Sequence, residues 1–116
     1  MRVARERLLF HALSTLEAEA HRSRTAGAIP RGPHIRLALG VLYAFSPNEA
    51  REEMLSWHVT FCEYLSDRTD TDTRTSAGFG RWQMLNSCLN GMARAAGIER
   101  GPAYDAARRR LYGENS

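Results

Sequence analysis

Lysine is absent from this chain of 116 residues; all 16 basic residues are arginine. That excludes a phosphate loop built on a lysine. It also makes every cation a planar fork that can grip carboxylate or phosphate at two points. The same bias is the mark of a GC-rich genome and points to a bacterium or its phage. Cysteine is nearly absent. Cys62 and Cys88 are too few for a disulfide framework, and both fall in predicted helices, where cysteine is a small buried hydrophobe. Long apolar runs are missing too. None approaches the roughly 20 residues of a membrane span. The apolar run after Arg2, Arg5 and Arg7 stops at Phe10, too short for a secretory signal. These absences predict a reduced, cytoplasmic protein with no membrane contact. Enzyme signatures are lacking as well, with no G-x-S-x-G, no HExxH and no paired CxxC.

What is present is ordinary for a folded domain. Apolar residues make up 43% and charged residues 25%, which places the chain among globular rather than disordered sequences. The length suits one domain with one core, so 1–116 is read as a single unit. The net charge of +3 is mild, but five arginines face two acids between Arg94 and Arg110.

Hydrophobic periodicity predicts an all-α bundle of about five helices. The first runs from about Val3 to Arg24. Leu9, Leu13, Leu16 and Ala20 form its stripe, and Arg7, His11, Glu19 and Arg22 lie opposite. Gly27, Pro30, Gly32 and Pro33 break the chain before a second helix, Pro33–Phe45. This segment is apolar nearly all round, which predicts a helix buried on every side at the centre of the bundle; a buried strand is the rival reading. Ser46-Pro47-Asn48-Glu49 reads as a capping box that starts a third helix ending near Ser66. Met54, His58, Phe61, Cys62 and Leu65 form its inner face; Glu52, Ser56, Thr60 and Glu63 form its outer one. A long polar loop, 67–80, follows. Trp82, Leu85, Leu89, Met92 and Ala96 mark a fourth helix from about Arg81, and Gly97-Ile98 stops it. Pro102 opens a short fifth helix with Tyr104, Ala107 and Leu111 inward; residues 113–116 are expected to fray.

Several constellations invite chemistry. His58 and Cys62 stand one turn apart, as two zinc ligands or a catalytic couple would. No second paired set completes a metal site, and a helix interior does little to lower a thiol pKa. Asp67, Asp70 and Asp72 suggest calcium, but Arg74 stands where a further oxygen ligand is needed. No metal or cofactor is therefore expected. Gly78-Phe79-Gly80 before Arg81-Trp82 reads as a displayed aromatic beside a helix N-terminus, which makes Phe79, Arg81 and Trp82 candidate partner or ligand contacts. Arg94, Arg100, Arg108 and Arg109 are candidate contacts for an anion or nucleic acid. Of the arginine run, Arg108 and Arg109 are expected to be exposed, and Arg110 to border the core. A helix-turn-helix is disfavoured because the outer face of the third helix is acidic.

The leading expectation is thus a small non-enzymatic interaction module, an adaptor or regulator with a protein partner. The alternatives are a nucleic-acid-binding accessory protein using the C-terminal arginines, and an enzyme or ligand-binding bundle with a pocket under the 67–80 loop.

Overall fold

A computed structural model describes residues 2–25 and 28–112. The expected fraying of 113–116 and the inward turn of Leu111 lie outside what is described. Among the described residues five α-helices form an all-α domain: α1 (Arg2–Arg22), α2 (Gly32–Phe45), α3 (Arg51–Ser66), α4 (Ser76–Ala95) and α5 (Pro102–Tyr112). A single 3-10 turn, Asn48–Ala50, leads into α3.

Two antiparallel hairpins make the bundle. In the first, Arg5 at the start of α1 donates to the carbonyl of Phe45 at the end of α2. In the second, Arg94 late in α4 meets Glu53 early in α3. The hairpins join through α1 and α4, while α5 covers α1, and α2 and α3 barely touch. The core follows from the stripes. Leu9, Leu13, Leu16 and Ala20 of α1 are fully buried against Leu85, Leu89, Met92 and Ala96 at and around α4, with Met54, Phe61 and Leu65 of α3 behind them. Trp57 lies against Gly91, and this brings α3 and α4 close together.

α2 is not the buried centre that its composition predicts. It buries Ile35, Ala38, Leu39 and Leu42 against the rest, but Leu37 remains 74% exposed and Phe45 also faces outward. Uniform apolarity carries no period, so it cannot say which sides a helix will have covered. Gly40 and Ala44 complete the open side, and being small they expose little apolar area.

Three further expectations are corrected. The capping box does not form. Ser46 is the C-cap of α2 and its hydroxyl donates back to the Leu42 carbonyl, while no side chain caps the 3-10 turn or α3. Pro47 instead provides the extended residue before the 3-10 turn. The polar loop is also shorter than 67–80. Thr75 caps α4 by accepting the Gly78 N–H at 3.0 Å, so Gly78-Phe79-Gly80 is helix rather than loop. Gly78 is required there by contact, because a Cβ would lie 1.8 Å from the Asp72 carbonyl oxygen. The stop after α4 does form: Gly97 adopts a φ of 79°, and the Ile98 N–H returns to the Ala93 carbonyl.

Finally, Glu19 is not on an exposed face. Its side chain is fully buried and accepts from the Arg31 backbone N–H at 2.8 Å, from Arg31 Nε at 2.6 Å and from Arg22 at 3.3 Å. A carboxylate at this place ties the end of α1 to the positive start of α2.

Candidate docking groove

The residues singled out as candidate contacts do not converge. Phe79 is half exposed on the first turn of α4. Arg81, two residues further on, points inward and is 4% exposed. Its fork donates to the carbonyls of Tyr64, Leu65 and Asp67 and to the Ser23 hydroxyl, so it holds the fold and is closed to a partner. Trp82 is half-buried under His21 and the Arg24 guanidinium.

The C-terminal arginines are likewise spread out. Arg100 folds back on Asn86 and Asn90, and with Arg108 it faces the buried Glu17 at 3.3 and 3.8 Å. Arg108 is therefore not an open surface cation, while Arg110 is exposed rather than at the core. Arg94 pairs with Glu53 at 3.6 Å. That leaves Arg109 and Arg110 exposed at the end of α5.

The cysteine chemistry is equally structural. His58 Nδ1 bonds the Tyr43 hydroxyl at 3.0 Å. Burial raises the pKa of Cys62, and that of Cys88 to about 11, so both thiols keep their protons at neutral pH. Among the described residues no three of His, Cys, Asp and Glu gather in metal-binding range.

Burial lowers the pKa of His58; burial and then Arg24 lower that of His21. Both shifts favour the neutral ring in the folded state. A histidine whose folded pKa lies below its unfolded value of 6.5 favours folding above that value and opposes it as the pH falls. The melting midpoint is expected to drop between about pH 7 and pH 5, and the drop to shrink in His58→Phe. An equal drop in that variant excludes His58 as a source.

Among the concavities of the described residues, two bear on the expected loop site and on the open side of α2. One lies under the polar loop: a cleft of about 380 Å³ lined by His21, Arg24, Thr25, Thr71, Asp72, Thr73 and Arg74. It is polar and open, and Arg74 is already clamped on Asp72 by two bonds of 3.0 Å. The other is a groove of about 390 Å³ between α1 and α2. Leu8, Ala12, Leu37, Ala38 and Val41 give it an apolar floor and wall, with His11, Thr15 and His34 as its polar groups. No carboxylate lines it. α2 contains no acid at all, and the carboxylate nearest the groove, Glu19, is fully buried between two arginines. Arg7, one turn before His11, is exposed at one end. Arg22 and Arg31 stand at the other, sharing Glu19. Nothing in the sequence pattern marked this groove, because it exists only where no element covers α2.

No family model, curated protein or solved structure matches this chain. Among the described residues no helix is long and apolar enough to cross a membrane.

Proposed function

We propose that this protein is a small helical interaction module of a bacterium or phage. Its docking surface is the α1–α2 groove, and the occupant is an amphipathic helix with acids flanking its apolar residues. The observation that carries the reading is Leu37, a large apolar side chain 74% exposed on the wall of an apolar groove. Covering one leucine contributes about 1.5–3 kcal/mol, and Leu8 beside it is also open. A groove between two helices is a ready seat for a third, read by side chains one turn apart. Cations at both ends, with no acid in the lining, favour a partner of opposite charge.

A direct test uses a synthetic helical peptide with two leucines four residues apart between glutamates, and a second peptide with lysines in place of the glutamates. The acidic peptide is expected to bind in the micromolar range by fluorescence anisotropy, at least about tenfold more tightly than the basic one, a difference of about 1.4 kcal/mol. Leu37→Asp should abolish this binding without altering the circular dichroism spectrum. Equal binding of both peptides, or binding indifferent to Leu37→Asp, overturns the assignment. The nucleic-acid alternative loses ground because Arg100 and Arg108 are turned onto Glu17.

A further inference from the structure

A second apolar stripe lies on the opposite hairpin. On α3, Leu55 is 51% and Val59 45% exposed. They are four residues apart and therefore neighbours on one face. Glu52 stands three residues before Leu55, and Glu63 four after Val59; both are exposed, and neither forms an ion pair among the described residues. The row Glu52, Leu55, Val59, Glu63 is thus an acid-bracketed apolar stripe, the chemistry that the α1–α2 groove calls for.

The dimensions agree. At 1.5 Å per residue the apolar pair spans about 6 Å and the two glutamates about 16 Å. The groove runs from Leu8 to Thr15 along α1, about 10 Å by the same rise. Its flanking cations, Arg7 at one end and Arg22 with Arg31 at the other, lie beyond the apolar floor; Arg7 and Arg22 are about 22 Å apart by the same rise, so the arginine side chains would reach back over the glutamates by about 3 Å at each end. Pairing the groove with a second groove would instead bring arginines together without any acid from α2, and like charges facing each other are costly.

We infer that copies of this chain associate through unlike faces, the α1–α2 groove of one receiving the Leu55–Val59 stripe of the next. This rests on the docking reading above and names its occupant. Two different faces make a head-to-tail contact, which closes into a ring or extends according to the rotation between copies, or closes as a dimer if both contacts form reciprocally.

The test is light scattering and sedimentation of the full chain from micromolar to millimolar concentration. The mass is expected to rise above 13.1 kDa with concentration, with an apparent Kd at least about tenfold weaker when salt is raised enough to screen the charge pairs. Leu37→Asp and Leu55→Arg are each expected to remain at one chain, with unchanged melting curves because both side chains are largely exposed. Mixed in equal amounts they should form a two-chain species, since one groove and one stripe survive. A wild type that stays monomeric at every concentration overturns the inference, as does association that survives both substitutions or a mixture that fails to pair. A monomeric wild type that still binds the acidic peptide leaves the groove as a docking site for another protein. Failure of both overturns the docking reading as well.

Discussion

Replacing Arg81 with methionine is expected to destabilise the protein by about 2–4 kcal/mol, read as a lower denaturant midpoint with the slope unchanged. Methionine keeps most of the apolar stem and removes the fork. The fork now donates to the Tyr64 and Asp67 carbonyls at 3.1 Å, to the Ser23 hydroxyl at 3.1 Å and to the Leu65 carbonyl at 3.4 Å. Three of these acceptors are carbonyls at the C-terminal end of α3, where a helix presents unpaired oxygens and partial negative charge. Ser23 follows the last turn of α1, so one guanidinium joins the ends of α1 and α3 to the start of α4. Arg81 is 4% exposed, and this burial, and next Arg68, lower its pKa. Arg81→Lys is expected to restore little, because a point ammonium cannot span the same acceptors. Arg74→Met is the contrast. Arg74 also pairs with an acid, but its side chain is 90% exposed, and removing it should leave the denaturant midpoint essentially unchanged. A loss at Arg81 no larger than that at Arg74 would exclude the fork as a clamp between helices.

Arg81 also shows how far the sequence could be read. Its neighbours Trp82, Leu85, Leu89 and Met92 mark α4 by their spacing, and the stripe of α1 is as plain; the core they predict is the core found. Gly97 and Ile98 announce the end of α4 because a left-handed stop needs glycine and a folded-back apolar residue. Local rules fail where tertiary partners decide. Gly78-Phe79-Gly80 reads as the end of a loop that displays an aromatic, yet Gly78 is there to clear the Asp72 carbonyl inside a helix. Ser46 and Glu49 have the spacing of a box, but Ser46 bonds backwards to α2. Charged residues on a helix are read as outward-facing, and Arg81 and Glu19 are buried because partners from other elements meet them. The groove was the least legible feature. α2 is apolar on all sides, so the sequence holds no sign of which side lacks a neighbour. The α3 stripe is half visible in the sequence, since the spacing places Glu52 and Glu63 on the outer face of α3 but does not mark Leu55 and Val59 between them.

Glu17→Leu is expected to cost about 3–5 kcal/mol, the usual result of removing one partner from a buried charge cluster. Glu17 lies on α1, nearly buried, with Arg100 Nη2 at 3.3 Å, Arg108 Nε at 3.8 Å and the Tyr104 hydroxyl donating at 2.6 Å. The carboxylate ties α5 and the turn before it to α1. Leucine fits the space but leaves two half-buried guanidinium groups facing apolar atoms and each other. The Nε atoms of Arg100 and Arg108 already lack hydrogen-bond partners; Arg100 keeps Asn86 and Asn90 as acceptors, so the loss falls mainly on Arg108 and on the Arg100 Nε. Tyr104→Phe is milder, about 1.5–3 kcal/mol, as expected for one hydrogen bond to a charged group. The two losses should not add, because both variants break the same bond; the double variant is expected to fall short of the sum by at least about 0.5 kcal/mol. A pH measurement separates the phenol from the rest. Burial first, and then the bond to Glu17, raises the Tyr104 pKa above its ordinary 10.0. A group whose folded pKa is raised supports the fold below its unfolded pKa, and that support is lost as the pH climbs from there toward the folded value. The wild type should therefore lose stability above about pH 10 more steeply than Tyr104→Phe. Parallel alkaline curves would show that the phenol is not held in its protonated form by Glu17 and the core, and strict additivity would show that the carboxylate acts through the arginines alone.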